Sequence, residues 1–256
     1  MPKAPPQIFD RRAYAQRRAR AVLAGGGTIL THDTAAHMAE RLAVTKKRFD
    51  KALDLGWRDE SFIELAPSAA SWVRTTHYPS AQLVADEEAL PFAPASFDLI
   101  TSVLALHAVN DLPGALAQIR RILKPGGLFL AALFGGATLQ ELRQSFAAGE
   151  SEISGGASPR VAPFADVRDL GALLQRAGFG GPVADVERTA IRYKDIKRLF
   201  ADLRALGETS VLTQRRRQPL SRAVLNAALA HYADNHADAD GRLRATFDVV
   251  YLTGWA

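Results

Sequence analysis

Residues 97–133 read FDLITSVLALHAVNDLPGALAQIRRILKPGGLFLAAL, and this stretch decides the fold. Phe97 to Val103 is a short run rich in β-branched and large apolar residues, the composition of a strand. Between Leu112 and Leu123 the apolar residues fall at 112, 115, 116, 119, 122 and 123, which is one face of a helix at 3.6-residue spacing. Lys124-Pro125-Gly126-Gly127 stops that helix, because proline cannot continue it and glycine accepts a left-handed turn. Leu128 to Leu133 is apolar throughout, as a strand covered on both faces must be. Strand, crossover helix and strand in this order make parallel neighbours. The expectation is an α/β fold with a doubly wound, mostly parallel sheet.

Working outward, Arg48 to Leu55 reads as the first strand, ended by Gly56. Trp72 to Thr76 is the best second strand and Ala81 to Ala85 the third. Upstream lie two helices, Phe9 to Leu23, ended by Gly25-Gly26-Gly27, and about Thr31 to Val44. Downstream, Leu139, Leu142 and Phe146 mark a helix, and Gly155 to Pro159 a loop. Val167, Leu170, Leu173 and Leu174 line a second helix, closed by Gly178. Asp195 and Ser221 are N-caps for two more. Phe247, Val249 and Tyr251 alternate onto one face of a last strand. The organisation expected is an N-terminal basic helical region at 1–45 and a domain at 46–256. Within that domain a helical insertion runs over about 138–235, before a last strand at 245–252.

The 256 residues hold no cysteine, which removes disulfides, thiolate nucleophiles and Cys-type zinc sites together and suits a reducing, cytoplasmic setting. No apolar run approaches the roughly 18–20 residues of a membrane span. No His-x-x-x-His pair is visible, and His32/His37 and His231/His236 are each five apart, about 140° around a helix, so no metal site is expected. The net charge of +5 is concentrated at the start, where Lys3, Arg11, Arg12, Arg17, Arg18 and Arg20 face Asp10 alone. A second basic run, Arg215-Arg216-Arg217 with Arg222, lies near the end. These runs read either as basic arms for an acidic partner or anionic membrane surface, or as solvated helix faces. The first run is interleaved only by Phe9 and Tyr14 and the second by no aromatic residue, too few for a base-stacking platform, so nucleic acid is not the expected partner.

Four blocks carry a resemblance. Ala52-Leu53-Asp54-Leu55-Gly56 resembles the first strand and turn of class I S-adenosylmethionine (SAM) dependent methyltransferases, and Val84-Ala85-Asp86-Glu87-Glu88-Ala89-Leu90-Pro91-Phe92 their third strand and its loop. Ser96 to Ile100 resembles the fourth strand and Leu123 to Gly127 the turn into the fifth. Further blocks are similar to one branch: Ile8-Phe9-Asp10-Arg11-Arg12, Asn110 to Leu116, Gly155 to Arg160, Pro163 to Asp169, Arg215 to Leu220, and the ending Ala245 to Trp255. That branch is the type 11 methyltransferase-like assembly factors of respiratory complex I, which also resemble the malonyl carrier-protein methyltransferase of biotin synthesis. The resemblance implies SAM as cofactor and a protein substrate or partner, with a respiratory complex I subunit as the candidate. In mitochondrial members it implies hydroxylation of an arginine rather than methylation.

For the site, the resemblance implies cofactor contacts at Asp54, Gly56, Asp86, Glu87 and Leu104, with Asp86 beside the adenine. It puts His107 at the mouth of the pocket as a catalytic base or substrate clamp; a helix-entry histidine with one hydrogen bond is the plainer alternative. Two departures stand against SAM. The family pattern Asp-x-Gly-x-Gly-x-Gly is here Asp54-Leu55-Gly56-Trp57-Arg58-Asp59-Glu60, so Arg58 and Glu60 replace two glycines. The second strand ends in Thr75-Thr76-His77, with no carboxylate for ribose hydroxyls. Only 30 residue steps separate Gly56 from Asp86, so one crossover is expected to be truncated. A fold of this kind that has lost SAM and serves as a protein-binding scaffold is the alternative function.

Overall fold

The structure is a computed structural model that describes residues 6–25, 28–66, 69–78, 83–216 and 218–256. Two helices, α1 (Arg11–Leu23) and α2 (Ile29–Val44), lead into β1 (Phe49–Leu55), the short α3 (Ser61–Leu65), β2 (Ala69–Thr76) and β3 (Leu83–Val84). Then follow β4 (Phe97–Val103), α4 (Leu112–Ile122), β5 (Leu123–Phe134), α5 (Gln140–Ser154) and α6 (Val167–Arg176). The chain ends with β6 (Gly180–Tyr193), α7 (Ile196–Ala205), α8 (Arg222–His236) and β7 (Leu243–Trp255). The described strands form one seven-stranded sheet in the order β3-β2-β1-β4-β5-β7-β6. The first five pair parallel, while β7 runs antiparallel to both β5 and β6.

The sheet is buried on both faces at its centre, where β5 is apolar at every position from Leu128 to Phe134. Along β5, Leu128, Leu130, Ala132 and Phe134 join one core with Met38 of α2, Leu199 of α7 and Tyr232 of α8. Phe129, Ala131 and Leu133 join the other with Leu116 and Ile119 of α4 and Leu170 of α6. The period-2 alternation of a strand produces this division. The two expected caps form, Asp195 accepting from Lys197 N at 2.8 Å and Ser221 from Val224 N at 3.2 Å, and Asp111 caps α4 by accepting from Gly114 N at 2.9 Å.

Three features differ from the sequence reading. First, Lys124-Pro125-Gly126-Gly127 does not stand outside the strand. Phe97 pairs with Leu123 and Leu99 with Leu128, so the four residues form a bulge early in β5. Second, the stretch expected to be helical before the last strand also holds β6, fourteen residues paired along β7. Its half-exposed, mixed polar pattern hides it from an apolar-run criterion. Third, both early crossovers are short: α3 has five residues, and only residues 77–82 separate β2 from β3. Of the expected third strand, positions 81 and 82 lie outside the described residues.

Candidate functional site

In an open doubly wound sheet, ligands bind outside the carboxyl ends of the strands where the strand order reverses. Here that place lies between β1 and β4. Four segments converge on it: Gly56 after β1, His77 and Tyr78 after β2, Ala85 to Glu88 after β3, and Leu104 to His107 after β4. Leu104 holds a left-handed backbone at φ 48°, uncommon for a residue with a side chain. Gly56, at φ 76°, is packed so closely that a Cβ there would meet Ala105 Cβ at 2.4 Å and Glu87 Oε1 at 3.0 Å.

Helix α1 fills the place these segments enclose. Arg18, 3% exposed, donates to Leu104 O at 3.1 Å and to Gly56 O at 3.0 Å. Tyr14 donates its hydroxyl to Ala105 O at 3.2 Å and sets its ring edge-on to His77. Arg11 donates to Ala108 O at 2.8 Å and Asp86 Oδ1 at 3.0 Å, and also contacts Glu87 and His77. Burial alone would raise the Glu87 pKa, but the His77 hydrogen bond, its charge and the Arg11 charge hold the carboxyl below its ordinary value. Burial likewise lowers Arg11, and Glu87, Tyr14 and Asp86 overcome it, so its net shift is upward.

The turn after β1 adds a further arginine. Arg58, buried, donates to Leu104 O at 2.9 Å and Glu208 Oε1 at 3.1 Å, and also to Leu206 O. Glu208, in the loop after α7, thereby serves Arg58, Arg18 at 3.5 Å and His107 Nε2 at 2.9 Å. Glu60 points away and pairs with Arg74 at 2.9 Å. Asp54 is buried with Oδ1 unpartnered among the described residues, and burial, then the Asp59 and Glu60 charges, push its pKa up to about 7.

The positions expected to touch a cofactor, Asp54, Gly56, Asp86, Glu87 and Leu104, are therefore brought to one place, but Arg11, Arg18 and Arg58 already engage all except Asp54. Among the described residues, two voids of about 10 Å³ each lie here, one beside Tyr14 and Arg18 and one beside Arg58 and Phe62. Each has room for about one water, whereas a drug-sized ligand occupies about 300–1,000 Å³. The basic face of α1, one of whose expected roles was a solvated face or outward arm, turns Arg11 and Arg18 inward. His77, Asp86 and Glu87 also bring three ligand atoms within 4.8 Å, a set that residue spacing did not reveal. Arg11 supplies the positive charge there.

His107 sits on the other side of this plug. Its side chain is 2% exposed, its ring lies 4.7 Å from Phe134 and 5.7 Å from Phe164, and Nδ1 is buried without a partner among the described residues. It lines a separate cavity of about 340 Å³ enclosed by α1, α5, α7, the loop at 159–164 and the segment 208–216. The sequence reading missed Arg11, Tyr14, Arg18 and Glu208. The first three fall at i, i+3 and i+7, one helical face, which was the available signal. Glu208 carries no such pattern; it is a single acid after a helix-stopping glycine.

Comparison with known proteins completes the placement. A family described as "Methyltransferase domain" matches residues 59–131, a span that begins after Gly56 and the first two residues of the altered turn. Over 240 residues the chain is 38% identical to the mitochondrial arginine-hydroxylase NDUFAF5 of Homo sapiens, covering 88% of this chain and 69% of that protein. The chain belongs to this methyltransferase family. It is also 32% identical over 273 residues to the malonyl-[acyl-carrier protein] O-methyltransferase of Gallionella capsiferriformans, covering 97% of this chain and 91% of that one. The YcgJ protein of Bacillus subtilis shares the fold, with a TM-score of 0.57 at 15% identity over 86% of this chain and 97% of its own. SAM is the cofactor this methyltransferase family implies. Among the described residues the groups present do not fit it: guanidinium groups hold the carbonyls of Gly56 and Leu104, and the space they enclose is water-sized. Among the described residues, no helix is long and apolar enough to cross a membrane.

Proposed function

We propose that this protein is an assembly factor of the complex I type that binds a protein partner without using SAM. The carrying observation is the plug of α1, whose Arg18 and Tyr14 are held by backbone carbonyls from both sides of the sheet's switch point. Several independent tethers support a permanent rather than a transient occupant. Asp10 N donates to Val211 O at 2.8 Å, Phe9 N to Asn110 Oδ1 at 2.8 Å, and Arg215 pairs with Asp10 at 2.9 Å. The relationship to NDUFAF5 supports the choice of a respiratory complex I subunit as partner, and the cysteine-free composition supports a reducing, cytoplasmic setting.

The test is calorimetric titration of the folded 256-residue chain with SAM and with S-adenosylhomocysteine. The expected result is no saturable heat at millimolar ligand, and micromolar binding of either overturns the proposal. A co-purification experiment with complex I subunits then identifies the partner.

One observation favours a second reading, an active enzyme that modifies its partner. His107 bonded to Glu208 beside a 340 Å³ cavity is an imidazole held by a carboxylate, the arrangement of a general base. On that reading His107→Gln abolishes modification of the partner while co-purification persists.

A further inference from the structure

The cavity beside His107 combines two properties. Its walls are aromatic and aliphatic, from Phe134, Phe146, Phe164, Phe200 and Phe247 with Leu142. Its lining also includes four arginines, Arg17, Arg160, Arg215 and Arg216, against one carboxylate, Glu208. Two of these arginines are already neutralised: Arg160 pairs with the fully buried Glu150, and Arg215 with Asp10 at 2.9 Å. Glu208 is committed to Arg18, Arg58 and His107. Arg17 and Arg216 make no ion pair among the described residues; the Asp10 carboxylate whose charge reaches Arg17 is already paired with Arg215, Arg17 is half-buried on two backbone carbonyls, and Arg216 is exposed at the rim.

Desolvating a guanidinium next to another without an anion is unfavourable. Burial first, and the Arg215 charge second, hold Arg17 below its ordinary pKa. A further polar atom on this wall, Ser210 Oγ, is buried with no hydrogen-bond partner. An anion here would relieve the repulsion, and arginine is the side chain best shaped for a carboxylate.

The volume sets the size of the rest of the ligand. An engineered apolar cavity of about 150 Å³ takes one benzene. At about 340 Å³ this cavity has room for a body about two rings in size, far larger than a malonyl group.

We infer that this cavity binds a small apolar carboxylic acid, its body among Phe134, Phe164 and Phe247 and its carboxylate at Arg17 and Arg216. The acid is a monoanion at neutral pH, so it places one negative charge between the two unpaired guanidinium groups. The site takes Arg17 from the docked α1 but does not require the absence of SAM binding, so each proposal is read by its own titration.

The test titrates the 256-residue chain with 2-naphthoate, neutral 2-naphthylmethanol and cationic 2-naphthylmethylamine, following naphthyl fluorescence and heat. Naphthoate is expected to saturate one site at least tenfold more tightly than the alcohol, with the amine weaker still. Arg216→Glu, a change at an exposed side chain, should weaken naphthoate at least tenfold and leave the alcohol within twofold. Ala162→Phe, which fills the cavity, should remove both at an unchanged melting temperature. Equal affinity for acid and alcohol, an unaltered constant in Arg216→Glu, or no binding of naphthoate at millimolar concentration overturns the inference.

Discussion

Arg18 Nη2 lies 3.0 Å from the carbonyl oxygen of Gly56, inside the turn where this fold takes its nucleoside. Its other terminal nitrogen reaches Leu104 O at 3.1 Å, and Glu208 is 3.5 Å away. An arginine on a solvated helix face would be replaceable within about 0.5 kcal/mol. This one is a buried cation satisfied on several sides. Arg18→Met keeps the aliphatic stem and removes the charge, leaving two carbonyls without these donors. We expect a loss of about 3–5 kcal/mol, the cost of breaking a buried charge network, measured by denaturant unfolding.

Glu208 joins three segments distant in sequence, through Arg58, Arg18 and His107. Glu208→Gln preserves its shape and removes its charge. Because Arg18 and Glu208 share one network, their effects should not add. A double-mutant cycle of Arg18→Met with Glu208→Gln should give a coupling of about 1–3 kcal/mol. Strict additivity would mean that the 3.5 Å pair contributes nothing.

Gly56 combines two demands, φ 76° and a Cβ position 2.4 Å from Ala105 Cβ. Gly56→Ala therefore introduces both backbone strain and overlap, together about 2–4 kcal/mol. The two components separate in a second variant. Ala105→Gly in the same chain removes the overlapping methyl and should recover part of the loss, leaving about 1–2 kcal/mol of left-handed strain. Full recovery, read from unfolding midpoints, would mean the backbone at residue 56 relaxes away from this conformation.

The sheet was legible where a strand was a compact run of large apolar or β-branched residues. Leu128 to Leu133 and Phe97 to Val103 announced themselves in this way, and α4 by its one-faced periodicity. Strand β6 was not legible, because an edge strand with Arg188, Thr189 and Arg192 exposed on it has neither an apolar run nor clean alternation. At the site, the losses were readable and the replacement was not. Two missing glycines and the absent ribose carboxylate stand in the sequence, as do the five converging positions. That Arg11 and Arg18 turn inward depends on docking α1 against a loop some 190 residues away, through Arg17 and the 209–210 carbonyls. No local pattern distinguishes such a face from a solvated one. His107 was found by its place after β4, but its anchor Glu208 comes from a different part of the chain.

Asp54 ties stability to pH. Its pKa is about 7 in the folded chain, raised chiefly by burial, against an ordinary value of 3.8. Between these values the folded state holds the proton more tightly than the unfolded chain, so stability falls as pH rises from about 4 to about 7. Above that window the contribution is fully lost. Asp54→Asn mimics the protonated carboxyl and removes this dependence. We expect it to be more stable than the parent by a few kcal/mol at pH 8, at roughly 1.4 kcal/mol per unit, and nearly equal at pH 4. Thermal melts of both proteins across that range check the sign, and a parallel pair of curves would place the carboxylate in solvent.

Restoring glycines at 58 and 60 asks whether the turn alone closes the nucleoside pocket. Arg58→Gly removes the donors to Leu104 O and Leu206 O, and Glu60→Gly removes the pair with Arg74. Arg18 still holds Gly56 O, Tyr14 still holds Ala105 O, and Arg11 still sits on Asp86 and Glu87. The second strand still ends in Thr75-Thr76-His77, without an acid for the ribose. The double variant is therefore expected to give no saturable heat with millimolar SAM, as in the parent. Micromolar affinity in that variant would reverse the causal order: the altered turn would be the lock, and α1 would yield its place to a nucleoside once the turn permits.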